Sequence, residues 1–127
     1  MKIYVVRHQE KFEDNTMFSP LTLQGLKNSK KLIDILNKLD INHIYSSPYL
    51  KSLQTIYPYS KSNDKEINIE YGLIEALRGP NIPKNSFNME LPNYLATQFN
   101  FNKKYESQVA RNDLRFNESD KNIIKRL

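Results

Sequence analysis

Apolar residues crowd the start of the chain, Ile3-Tyr4-Val5-Val6, and give way at once to Arg7-His8-Gln9-Glu10-Lys11. A β-branched run of that length, bounded by charge, predicts a short buried strand over residues 2–6, followed by a long loop over 7–20. From Thr22 the spacing becomes helical. Leu26, Ser29, Leu32, Ile33, Leu36 and Leu39 share one face, with Thr22 placed to cap the start and Asp40 to close the end. That face is expected to pack on a sheet. Residues 43–46 predict a second strand, and Ser47-Pro48 supplies a cap followed by proline at the first helical position, opening a helix that runs to about Tyr57, before Pro58. Residues 67–70 alternate as a third strand that ends at Tyr71-Gly72.

Strands alternating with helices imply right-handed crossovers and a mostly parallel sheet, hence an α/β fold. Residues 79–105 hold most of the Pro and Asn, show no period, and read as an irregular insertion able to lie over a crevice. Ser119-Asp120 opens a last amphipathic stretch through Ile123-Ile124 to Leu127. No internal repeat is visible.

Composition narrows the class. A chain of 127 residues fits one domain, 1–127, with a real core. Hydrophobic residues at 39%, charged residues at 26% and a mean hydropathy of −0.68 describe a polar globular protein. The first residues are too short and too quickly charged for a signal peptide, and no apolar run is long enough to span a bilayer, so the expected location is cytoplasmic, with no membrane partner. Cysteine is absent and histidine occurs twice, which leaves neither disulfides nor a thiolate or His-rich metal site. A net charge of +5 favours anionic ligands, but the lysines are interspersed with acidic residues and do not form a nucleic-acid stripe.

The chemistry begins at Arg7-His8. An arginine and an imidazole at the carboxyl end of a strand stand where open α/β sheets place their ligands. Arginine offers a planar fork of donors that matches phosphate oxygens. A neutral imidazole beside it is able to attack phosphorus and form a phosphohistidine.

Three further blocks follow in order: Pro20-Leu21-Thr22-x-x-Gly25, Ile44-Tyr45-Ser46-Ser47-Pro48-Tyr49-Leu50-Lys51-Ser52-Leu53-Gln54-Thr55, and Gly72-Leu73-Ile74-Glu75. Together with Arg7-His8-Gln9-Glu10-Lys11 they resemble the histidine phosphatase superfamily, the phosphoglycerate-mutase-like group, in its Arg-His-x-Glu-Lys variant. The likeness covers residues 1 to about 80 well and the remainder loosely. It implies a three-layer sandwich in which helices flank a mostly parallel central sheet, here C-terminally incomplete.

The resemblance also assigns roles. His8 is the nucleophile, and Arg7 binds the phosphoryl group and the charge that develops on it. Lys51 stands where the family usually carries a second phosphate-binding arginine; it keeps the charge but not the bidentate geometry. Its place in the first turn of a helix suits an anion. Glu75 corresponds to the glutamate that protonates the leaving oxygen and then serves as base for water. Gln9 replaces a Gly or Ala, Glu10, Lys11, Asp14 and Asn15 line the loop without a catalytic role, and His43 has no counterpart. The family's second histidine has no candidate among residues 80–127. Losing one such donor costs on the order of a hundredfold or more in rate. The chain is therefore expected to be either a portion of a longer protein or a shortened relative.

These readings make the chain a phosphomonoester hydrolase or mutase-like phosphotransferase acting through His8. The alternative is a catalytically impaired pseudoenzyme or phosphate-binding module of the same family. No metal and no cofactor are implied. The expected partner is a small phosphorylated substrate, and a homo-oligomer is compatible with the reading. A third reading places single-stranded nucleic acid on Phe99, Phe101, Lys103, Lys104 and Tyr105, although such clusters usually cover a core edge.

Overall fold

A computed structural model of the chain describes residues 1–12, 18–75, 98–109 and 119–126. Its elements are α1 (Leu23–Asn37), β1 (Ile44–Ser46), α2 (Leu50–Ser62), β2 (Ile67–Ile69), a 3-10 turn (Tyr71–Leu73) and α3 (Asp120–Arg126). β1 and β2 pair in parallel, Ile44 with Ile67, Tyr45 with Asn68 and Ser46 with Ile69, and α2 forms the crossover between them. This is the expected α/β arrangement with a small parallel sheet.

α1 starts where the sequence places it. Thr22 is the N-cap, its Oγ1 accepting from the Gly25 amide at 3.1 Å. The helix stops at Asn37, short of Asp40, as Lys38 and Leu39 donate to the carbonyls of Ile35 and Leu36 in a tightened last turn. Its main neighbour is α2 rather than the sheet, and Leu36 is the apolar side chain it buries most deeply.

α2 departs from expectation at both ends. It begins at Leu50, with Tyr49 as an N-cap whose side chain does not cap the helix. Ser47 lies too early to reach a first-turn amide, and its hydroxyl donates to Ser52 Oγ at 2.9 Å instead. At the other end the helix runs through Pro58 to Ser62. An interior proline forfeits one backbone bond and costs about 3 kcal/mol. The turn beyond it offsets that cost by sinking Tyr59 and Ser60 into the interior, while Tyr57 meets Phe99 edge-on at 5.4 Å. A buried tyrosine alone contributes about 3 kcal/mol.

Leu36, Ile44, Leu53, Tyr59, Ile67 and Phe99 form the core where α1, α2 and the sheet meet. Residues 79–97 of the expected insertion lie outside the described residues. In the described remainder, Phe99 is buried, and Phe101 bridges Ile67 beside β2 through the amides of Ile67 and Asn102. These two rings thus cover a core edge and do not stand free for stacking.

The strand expected over residues 2–6 is not found. Extended chain becomes a strand only when its N–H and C=O groups meet a ladder partner, and among the described residues none pairs with this segment. Ile3 and Val5 are 75% and 92% exposed. His8 is therefore positioned by something other than a strand end.

Candidate active site

Both strands deliver a candidate side chain just past their carboxyl ends. From β1 the chain passes through Ser47 and Pro48 into α2, whose second residue is Lys51. From β2 it passes through Glu70 and the 3-10 turn to Glu75. A parallel pair opens its crevice at this end, where the loops diverge.

There Lys51 and Glu75 meet. Lys51 is 4% exposed, a costly place for an ammonium, and its Nζ donates to Glu75 Oε1 while lying 5.2 Å from the centre of the Tyr49 ring. Glu75 keeps 58% of its side-chain surface in water, so the pair has one buried and one open end. His8 completes the group, its Nε2 standing 3.9 Å from the same Oε1. The imidazole is part-buried, with Nδ1 directed at the carbonyl of Gln9 at 2.8 Å.

Loop bonds hold His8 in place of a strand. The Gln9 amide donates to Thr55 Oγ1 at 3.0 Å, and the Thr55 hydroxyl donates to the Lys51 carbonyl at 2.7 Å. The Glu10 carbonyl accepts from the Thr22 amide at 3.0 Å, and Thr22 Oγ1 donates to the Glu10 carboxylate at 2.9 Å. Gln54 Oε1 accepts from the Leu21 amide at 2.7 Å. The starts of α1 and α2 thus clasp the segment that directly follows His8. The α1 end of that clasp requires a glycine, since a Cβ on Gly25 would stand 2.1 Å from the Glu10 carbonyl oxygen.

Arg7 is exposed and joins none of these bonds, so the structure gathers His8, Lys51 and Glu75 but leaves Arg7 outside. Asp14 and Asn15 lie outside the described residues. His43 is exposed and sits 6.5 Å from the Tyr45 ring, away from the cluster. Among the described residues no group of three His, Cys, Asp or Glu is placed to hold a metal ion. Nor is any helix among them long and apolar enough to cross a membrane.

Five residues before Glu75 stands a carboxylate to which no motif draws attention. Glu70, at the start of the 3-10 turn, accepts from Ser107 Oγ and Tyr105 Oη, both at 2.7 Å, and from the amides of Gly72, Gln108 and Val109 at 3.0, 2.8 and 3.2 Å. Partial burial alone would raise its pKa. The donors from Ser107, Gly72, Gln108 and Tyr105 outweigh that and hold it at about 2. Tyr105 is pushed up to about 12 by burial, then by its bond to Glu70 and the charges around it. This network ties residues 105–109 to the turn that leads to Glu75. Its partners stand as far as 39 residues apart, a separation that leaves no pattern in sequence. Thr55 and Gln54 escaped notice for the same reason, although both lie within the recognised third block.

A solved structure shares this fold. The crystal structure of the ecdysone phosphate phosphatase, EPPase, from Bombix mori in complex with tungstate superposes with a TM-score of 0.66 at 19% sequence identity. The match covers 87% of this chain and 44% of that one, so the chain spans less than half the length of this structural relative. No curated protein sequence matches. The family model of the histidine phosphatase superfamily (branch 1) matches residues 3–120. With that model spanning nearly the whole sequence, the chain belongs to the histidine phosphatase superfamily.

Proposed function

We propose that this chain carries the phosphoryl-accepting centre of a phosphomonoester hydrolase, with His8 as nucleophile. The observation behind the reading is the meeting of His8, Lys51 and Glu75 around a single carboxylate oxygen, at the end of the sheet where ligands bind. The phosphatase relative, whose structure holds tungstate, supports a tetrahedral oxyanion as the ligand class.

The geometry suggests how substrate enters. Lys51 is buried and requires an anion. In the free protein Glu75 supplies it; a phosphate monoester, with more charge and more acceptors, takes Lys51 over. Glu75, displaced and set beside a dianion, takes up the proton it later delivers. His8 Nε2 then attacks phosphorus, the P–O bond to the alcohol breaks, and the Glu75 carboxyl gives its proton to the departing oxygen. In the second half Glu75 accepts a proton from water, water attacks phosphorus, and the P–N bond breaks to free phosphate and His8. Arg7, exposed in the free protein, binds the phosphoryl oxygens once substrate is present.

Phosphoryl transfer to a second acceptor alcohol instead of water would make the same centre a mutase. A phosphate-binding module without turnover is the second reading, favoured by lysine at position 51 and by the separation of Arg7 from the cluster. Hydrolysis of a phosphate ester by the natural polypeptide, measured beside His8→Ala, decides between them. The enzyme reading expects turnover that His8→Ala abolishes. Phosphate binding with no turnover in either protein establishes the module.

A further inference from the structure

Three hydrogen bonds run in sequence from the backbone of α2 to the imidazole of His8. The Thr55 hydroxyl donates to the Lys51 carbonyl, Thr55 Oγ1 accepts from the Gln9 amide, and the Gln9 carbonyl stands 2.8 Å from His8 Nδ1. Both ends of the Gln9 residue are thereby fixed: its amide by Thr55 and its carbonyl by the ring. We infer that Thr55 is a positioning residue that sets the tautomer of His8, holding the proton on Nδ1 and leaving Nε2 as the lone-pair nitrogen that faces Lys51 and Glu75. The inference rests on His8 being the nucleophile, since only then does the choice of nitrogen matter to function.

Two competing acceptors decide the tautomer. A neutral imidazole carries one proton, and the hydrogen bond available to each nitrogen decides where it resides. Nδ1 has a carbonyl oxygen at 2.8 Å, whereas Nε2 makes no hydrogen bond among the described residues, its ion-pair neighbour Glu75 Oε1 standing 3.9 Å away and beyond hydrogen-bond reach. The preference persists only while the Gln9 carbonyl stays where it is. Residues 2–6 supply no strand ladder to hold it, since that segment pairs with no strand among the described residues. Thr55, 46 residues away in sequence, does. Its hydroxyl is suited to the task. The bond to the Lys51 carbonyl occupies its single proton, so the oxygen can only accept from Gln9 and cannot turn to donate elsewhere. The same bond ties the His8 loop to the turn of α2 that carries Lys51, which couples nucleophile and cation in one frame.

The test reads the free protein and needs no substrate. Long-range nitrogen–proton spectra of the histidine-labelled chain, under alkaline conditions where imidazole is neutral, report the ratio of the two tautomers, with His43 as an internal reference. The wild type is expected to show His8 mainly protonated at Nδ1. Thr55→Val keeps the shape but removes the acceptor, and the ratio is expected to fall about fivefold, the worth of one backbone hydrogen bond. Thr55→Ser restores the hydroxyl and the wild-type ratio, a rescue that a purely space-filling role would not produce. A folded Thr55→Val with an unchanged His8 ratio overturns the inference. A wild-type His8 protonated mainly at Nε2 overturns it whatever the variants do, including when Thr55→Val fails to fold. Because no turnover enters the readout, a chain that shows the tautomer effect but forms no phosphohistidine would retain the positioning role and lose the catalytic one.

Discussion

Replacing Gly25 with alanine sets two effects of opposite sign against each other. Gly25 lies in the first turn of α1, where alanine ordinarily adds about 1 kcal/mol of stability through helix propensity. Here the new Cβ would stand 2.1 Å from the Glu10 carbonyl oxygen and 3.1 Å from its carbon. The obstacle is backbone and cannot rotate aside. Either α1 or the loop must move, at a cost of about 1–3 kcal/mol for overpacking. The movement also breaks the bond from the Thr22 amide to Glu10, worth about 1 kcal/mol. The net expectation is a loss of about 1–3 kcal/mol, with a proportional drop in the urea midpoint at unchanged slope. Lys30→Ala, on the exposed face of the same helix, serves as control and should stay within about 0.5 kcal/mol of the wild type. Displacing the loop by about 1 Å would also cost on the order of a hundredfold in any reaction that uses His8. A Gly25→Ala protein more stable than the wild type would show that the clasp between α1 and the His8 loop does not exist.

Three other expectations follow from the same contacts. Lys51→Ala should weaken binding of inorganic phosphate, followed by phosphorus NMR titration, by about tenfold to a hundredfold, the worth of a charge-assisted bond; unchanged affinity would remove Lys51 from the site. Glu70, held at about 2 against an ordinary 4.5, stabilises the fold fully above the higher value and progressively less as pH falls toward the lower. Allowing for solvent screening the loss is about 1–2 kcal/mol, and Glu70→Gln should flatten denaturation midpoints across that window; an unaltered pH profile would contradict the network. Pro58→Ala should raise the melting temperature by restoring a backbone bond to Gln54, a gain of about 1–3 kcal/mol, whereas a fall would mean that the pyrrolidine ring itself packs productively.

What the sequence discloses and what it hides divide along physical lines. Thr22, the two short strands and the parallel crossover were legible because capping and periodicity are local signals. The ends of α2 were not, since Pro48 and Pro58 speak for local preference while Tyr59 answers to the core. The apolar segment at residues 2–6 carries the composition of a strand, but strand formation depends on a neighbour, and composition cannot supply one. His8, Lys51 and Glu75 were singled out by their place in ordered motifs rather than by any spacing that shows contact. The residues that support them, Thr55, Gln54, Gly25 and Glu70, act through bonds that join distant parts of the chain, and only the folded arrangement reveals them.

Turnover at this centre depends first on His8 accepting a phosphoryl group. Brief reaction of the natural polypeptide with a radiolabelled phosphate monoester, quenched in alkali and mapped by peptide, measures this directly. Label is expected on the peptide that contains His8, stable to base, released by acid, and absent from His8→Ala. Substrate turnover with no such label, or with the label unchanged in His8→Ala, would contradict it.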